Sequence, residues 1–336
     1  MEDVIVEALL SNEREAQILA ARELGKLATK LRQKLAERGI ISRLVTMLRT
    51  QDYEATEAAL CALLCLAFHS ERNKIRIANS GAIPVLLEII QRPKESLIDL
   101  AAAALLVLSS CSANKLAIAA SGAIPILVGS LNSQLAEERG FQNLSVQAKL
   151  DIISTFHNLS TYPPIIPSIV SSGMVKAMLQ LMYEFGKQSK IIEKAMALLE
   201  KMVSSSEIAL EEVAETAPLV IHFLVEAVEE GTPLCKEHAA ATLLVMCQSC
   251  RDRYRGMILR EGAMPGLLQL SVDGTSKARE KAKALLQLLR DFSECRTREE
   301  RSKNRLLEHV MQQIDKGDTT GTGLRLVEEM IARLRT

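Results

Sequence analysis

One phrase recurs along this chain of 336 residues, in which Gly and Ala precede an apolar residue, a Pro and a helically spaced apolar run. Clear copies are GAIPVLLEII at 81 to 90, GAIPILVGSL at 122 to 131 and GAMPGLLQLS at 262 to 271. Weaker copies stand at GIISRLVTML (39 to 48), GMVKAMLQLM (173 to 182) and TAPLVIHFLV (216 to 225). The starts at 39, 81, 122, 173, 216 and 262 are separated by 42, 41, 51, 43 and 46 residues. Apart from one step, these match the period of about 40 to 47 residues of stacked two- or three-helix units. Such units bury their apolar faces against each other, so the array grows without the size limit of a single core.

Composition agrees with helical stacking. Apolar residues make up 48% of the chain, aromatics only 3%, and Trp is absent, so Leu, Ile, Val and Ala must supply the core. Lys plus Arg (41) balance Asp plus Glu (41). No global field therefore steers the chain toward nucleic acid or an anionic bilayer, and local patches carry any electrostatic preference. The start, MEDVIVEALLSNERE, has acidic residues where a secretory leader has basic ones, and no apolar stretch approaches the 18 or so residues of a membrane span. Seven Cys, an odd number set mostly in apolar helical phrases, read as reduced buried side chains. The expected location is cytoplasmic, nuclear or both.

One unit, residues 71 to 112, can be read in detail. ERNKIRIANS forms a short helix with Ile75 and Ile77 inward, and Gly81 follows its end, where positive φ is needed. Pro84 falls in the first turn of the next helix, where its missing N–H costs nothing, and Val85, Leu86, Ile89 and Ile90 repeat at helical spacing. SLIDLAAAALLVLSSC then makes a longer helix, apolar enough to need neighbours on most sides.

A short helix, a Gly turn, a Pro-started middle helix and a long Ala/Leu helix resemble the armadillo repeat. The resemblance implies an all-α, right-handed superhelical solenoid. It covers residues 1 to 292 as about seven repeats, with middle helices starting at 3, 40, 82, 123, 174, 217 and 263 and the first lacking its short helix. Residues 293 to 336 are expected to form a charged linker and a two-helix C-terminal cap, with Leu306, Leu307, Val310, Met311 and Ile314 on one helix and Leu324, Val327, Ile331 and Leu334 on the other. More narrowly, EREAQILAARELGKLATKLRQKLAERG, EHAAATLLVMCQSC and EGAMPGLLQLSVDGTSKAREKAKALLQLLRD are similar to the armadillo region of plant U-box proteins. In that family a U-box recruits a ubiquitin-conjugating enzyme and the repeats bind substrates or receptor kinases. This sequence starts at the array, so the partner-binding role is expected to carry over and the ligase activity is not.

The armadillo resemblance also implies that the long helices line a concave groove. Importin-like members place a Trp, and four residues later an Asn, on each. Here the Trp position holds Arg22, Cys61, Ala103, Ser154, Ala197, Ala241 and Ala284. The Asn position holds Lys26, Cys65, Val107, Asn158, Lys201, Val245 and Leu288, so only Asn158 matches and lysine-stacking slots are absent. Four residues before the Trp position stand Glu57, Asp99, Glu193, Glu237 and Glu280, with Leu150 breaking the series beside Asp151. This acidic ladder has two readings: a track for a basic or amide-rich extended segment, or carboxylates paired with Lys or Arg of the next repeat. Lys190, Lys201 and Lys277 dilute it toward the C-terminal half. The long 51-residue step contains an insertion, SQLAEERGFQNLS at 133 to 145, a polar surface loop offering Phe141 as an anchor.

Nothing resolves into a catalytic or metal-binding set. Cys247-Gln-Ser-Cys250 lacks a second pair, Cys61 and Cys65 are four apart on one helical face, and the five His are scattered over different repeats, with His157 and His238 reading as ordinary helix residues. The expected function is a non-catalytic adaptor that holds a segment of another protein, without cofactor, nucleic acid or membrane insertion, possible settings being ubiquitin or receptor signalling. The alternative is the substrate-binding part of a plant ubiquitin ligase whose U-box is missing from this chain.

Overall fold

The computed structural model describes residues 2 to 92, 95 to 132, 144 to 290 and 332. Described structure is helical, with no strands among the described residues. Contacts divide the chain into a first unit, Met1–Ala177, and a second, Met178–Thr336, the division falling inside the helix Met174–Glu184.

The armadillo pattern is present. Middle and long helices pair as Glu2–Leu10 with Arg14–Lys26, Ile40–Leu48 with Tyr53–Ala67, Ala82–Ile90 with Glu95–Ser109, and Ala123–Leu131 with Val146–Ser160. The series continues with Met174–Glu184 and Lys190–Val203, Ala217–Glu230 and Pro233–Ser249, and Ala263–Asp273 and Ser276–Leu289. Short helices such as Glu71–Asn79 and Arg251–Arg260 precede every pair except the first. The middle helices begin where sequence punctuation put them because Gly39, Gly81, Gly122, Gly173 and Gly262 all take φ between 77° and 85°. A side chain there would be strained, so the short helix stops and the chain turns. The weak copy at 216 lacks this device: Thr216 has φ −110° and leaves its buried hydroxyl without a hydrogen-bond partner.

Within the first unit each long helix packs on the next, from Arg14–Lys26 through Tyr53–Ala67 and Glu95–Ser109 to Val146–Ser160. In the second unit Lys190–Val203 packs on Pro233–Ser249, and that on Ser276–Leu289. Their inner faces are closed by Leu60, Leu105 and Phe156 in one unit and by Ala240, Leu243 and Leu285 in the other, all buried. Asn side chains lock the turn after a long helix: Asn73 donates to the Leu66 carbonyl at 2.9 Å, and Asn114 donates to the Leu108 and Lys74 carbonyls at 3.2 and 3.1 Å. The insertion falls between Leu131 and Val146 as expected. Phe141 and residues 133 to 143 lie outside the described residues, as do the cap and linker expected after 292 apart from residue 332. Among the described residues no single helix is long and apolar enough to cross a membrane.

Candidate functional site

The long helices turn one stripe away from the core. In the first unit it runs through Glu57, Cys61 and Cys65 on one helix, ending at its C-cap Phe68, and through Asp99, Ala103 and Val107 on the next, all exposed or half-buried. Spacings of three and four residues put them on one helical face. The assigned Trp and Asn positions thus do look outward, apart from the buried Ala241. Phe68, which sequence reasoning passed over, is 57% exposed at the end of this stripe and meets the His69 ring edge-on at 4.0 Å.

Most of the acidic ladder is already engaged. Asp99 accepts a hydrogen bond from the Ser145 hydroxyl at 2.5 Å, Glu193 from Thr232 at 2.7 Å and Glu237 from Thr275 at 2.5 Å. Each donor is the N-cap of the next long helix, and its oxygen in turn accepts from the backbone N–H of Ala148, Cys235 or Ala278. The carboxylate therefore orients a capping hydroxyl in the neighbouring repeat and lies near the positive end of that helix, a favourable place for negative charge. The partner is a hydroxyl, where the sequence suggested a Lys or Arg. Glu237 is buried at 7% exposure, while Glu280 is exposed. Glu57 accepts from the Tyr53 hydroxyl at 3.2 Å, and that hydroxyl also bonds Ser96 of the next long helix at 2.8 Å.

The first repeat boundary reverses the chemistry. Asp52 is itself the N-cap, accepting from the Glu54 and Ala55 N–H groups, and Arg14 of the preceding long helix pairs with it. The Arg14 guanidinium, set against the effect of partial burial, holds the Asp52 carboxyl below its usual range. Asp151, buried beside the gap in the ladder, behaves oppositely: burial raises its pKa, the Gln147 amide hydrogen bond opposes this, and nearby Asp99 adds to the rise. Asn158 donates to the Ser109 hydroxyl at 3.0 Å, so part of its amide serves to tie two long helices together.

The second unit holds a cluster that sequence reading missed. Glu200, next to the exposed Lys201, receives His238 Nδ1 at 2.6 Å from the next long helix and Lys281 Nζ at 2.7 Å from the one after. Burial pushes the Glu200 pKa up, but hydrogen bonds from His238 and Lys281 outweigh it and leave the pKa lowered. The signal was present as register: 38 and 81 residues separate Glu200 from His238 and Lys281, about one and two repeats.

No group of three or more His, Cys, Asp or Glu among the described residues could hold a metal ion. Cys111, Cys235 and Cys247 are buried, and burial drives the Cys235 thiol pKa up to about 11, which suits inert packing more than nucleophilic chemistry. Cys61 is exposed, with a thiol pKa raised by partial burial and by Glu57 and Cys65.

No protein-family model matches the chain. Among curated proteins it is 29% identical over 295 residues to U-box domain-containing protein 45 of Arabidopsis thaliana, covering 85% of this chain and 34% of that protein. It is 31% identical over 292 residues to U-box domain-containing protein 17 of the same plant, covering 85% of this chain and 38% of that protein. The chain thus spans little more than a third of the length of these relatives. Among solved structures, an engineered protein overlays at TM-score 0.75 with 20% identity, over 99% of this chain and 77% of its own. A chain solved in work on the interaction between cadherin and β-catenin overlays at TM-score 0.73 with 17% identity, over 99% of this chain and 60% of its own.

Proposed function

Since this is an armadillo-repeat chain similar to a stretch of plant U-box proteins, we propose that it is a protein-interaction adaptor whose outward long-helix faces hold an extended segment of a partner. The observation that carries the reading is the stripe in the first unit. There Glu57 and Asp99 stand half-buried near exposed Cys61 and Phe68, on helices packed against each other. A basic segment with an apolar residue suits such a surface: a carboxylate has lone pairs for donors beyond one hydroxyl, and an exposed aromatic supplies contact area. Asn158 holds the corresponding place on the last long helix of the first unit; within the second unit Glu193, Lys201 and Glu280 do so on its own long helices, with Glu237 buried among them. Buried thiols support work in a reducing compartment, cytoplasm or nucleus.

Fluorescence anisotropy with a labelled Lys/Arg-rich extended peptide tests this. Reversing Glu57 and Asp99 to Lys is expected to weaken binding by about tenfold, measured at a temperature well below the melt of the variant, which loses the Asp99 contact to the Ser145 cap; unchanged affinity counts against the reading. The similarity to U-box proteins favours a second reading, in which these repeats are the substrate-binding part of a ubiquitin ligase. Incubating the chain with ubiquitin, activating enzyme and conjugating enzyme tests whether these residues carry ligase activity of their own. The adaptor reading predicts no self-ubiquitination, and modification by these 336 residues alone overturns it.

A further inference from the structure

The Glu200 cluster ties three repeats of the second unit through one side chain. Lys281 crosses two repeats to reach it, and His238 approaches from the helix between. All three side chains remain a fifth or more exposed. An ion pair open to water gives little stability, because water solvates the separated charges nearly as well. The arrangement nevertheless shows that two nitrogen donors from different repeats converge on one carboxylate at hydrogen-bonding distance.

The surrounding face favours negative ligands in what it exposes. Lys190, Lys194 and Lys201 form one stripe on the first long helix of this unit, and Lys277 precedes Lys281 on the third; Lys190, Lys194, Lys201 and Lys277 are exposed. Of the acids on the same face, Glu193 accepts from Thr232 and Glu237 is buried against Thr275, leaving Glu280 exposed. Cationic head groups are thus presented outward while two of the carboxylates are folded against neighbouring caps.

We propose that the long-helix face of the second unit binds an Asp/Glu-rich extended segment of a partner protein, and that Glu200 is a built-in occupant of its central anion seat. An incoming carboxylate takes Glu200's place between Lys281 and His238, and further carboxylates meet Lys194, Lys201 and Lys277. Exchange of one carboxylate for another is close to neutral, so net affinity comes from the added contacts. Neighbouring packed helices lie about 8 to 10 Å apart, and an extended chain advances about 3.3 Å per residue. Acidic residues at every third position therefore match one seat per repeat. The inference rests on the adaptor reading and names the partner class for this unit.

The test is an anisotropy titration of the full chain with a labelled peptide carrying Glu at every third position. Glu200→Gln removes the internal competitor and is expected to tighten binding about threefold to tenfold. Lys281→Met is expected to weaken it by a similar factor and to abolish the gain when combined with Glu200→Gln. Lys201→Ala, a change at an exposed position, weakens binding independently of the seat and serves where Lys281→Met perturbs folding. An acidic peptide that binds equally to wild type and all of these variants overturns the proposal. So does a single-stranded oligonucleotide of equal charge that binds more tightly and responds to the same variants, since the seat then belongs to nucleic acid. A Lys/Arg-rich peptide measured against Glu57→Lys/Asp99→Lys in parallel separates the two failures: if it responds, only the anion seat falls, and if both peptides are indifferent to every variant the adaptor reading falls with it.

Discussion

The two units are assembled by one device and present different chemistry. Asp99 in the first unit and Glu193 and Glu237 in the second each hold the N-cap hydroxyl of the next long helix, with Ser145, Thr232 and Thr275 as donors. Outside that device they diverge. The first unit exposes Cys61 and Phe68 near Glu57 and Asp99, whereas the second exposes Lys190, Lys194, Lys201 and Lys277 around the Glu200 cluster. The lesson is that the side chains that align successive repeats and those that meet solvent sit on the same helical face yet vary separately. A ladder of carboxylates read from sequence therefore reports stacking first, and the charge offered to a partner depends on what remains exposed around it.

The largest expected effects probe what the units share. Truncating the fully buried Phe156 to Ala in the first unit should cost about 3 to 5 kcal/mol, and Leu243→Ala in the second about 2 to 5 kcal/mol, in urea unfolding. A loss under about 1 kcal/mol at either site would break the claim that both units rest on equally packed helix cores.

Removing one capping hydroxyl sharpens the comparison further. Thr232→Val and Ser145→Ala should each cost about 1 to 2 kcal/mol, because a cap is lost and a carboxylate loses its donor. Double-mutant cycles with Glu193→Gln and Asp99→Asn should show coupling of about 0.5 to 1.5 kcal/mol in both units. Coupling in only one unit would mean that the device is not shared.

Opposite pH responses are the smallest effect. The pKa of Asp151 is raised in the folded chain, so its contribution is present below the ordinary carboxylate range and lost as pH rises through the folded value. Asp151→Asn should accordingly be more stable than wild type at neutral pH, by about 1 kcal/mol or less, with the difference vanishing in acid. The pKa of Glu200 is lowered, so its contribution is present above the ordinary value of 4.5 and lost as pH falls through the folded value. Glu200→Gln should be less stable than wild type at neutral pH by about 0.5 to 1 kcal/mol, again converging in acid. Thermal melts across pH check both signs.

Architecture was legible because its signals are local. Gly, Ala and Pro within five residues mark the middle-helix starts at 82, 123 and 263, weaker copies and apolar periodicity put the others at 3, 40, 174 and 217, and the structure has the series at 2, 40, 82, 123, 174, 217 and 263. The outward face of the long helices was legible from helical periodicity. What the carboxylates touch was not, since Asp99 meets Ser145 across 46 residues and Glu193 meets Thr232 across 39. Neither was Glu200, whose neighbour Lys201 drew the attention and whose partners stand one and two repeats away. His238 read as an ordinary helix residue because its role exists only once three helices are stacked.

The claim that the two faces select different partners is tested most directly by titrating one sample of the full chain with two labelled peptides of equal length, one Lys/Arg-rich and one with Glu at every third position. The account predicts that Glu57→Lys/Asp99→Lys weakens the basic peptide alone and Lys201→Ala/Lys281→Met weakens the acidic peptide alone. Both peptides responding to the same pair of substitutions, or neither responding to any, would contradict it.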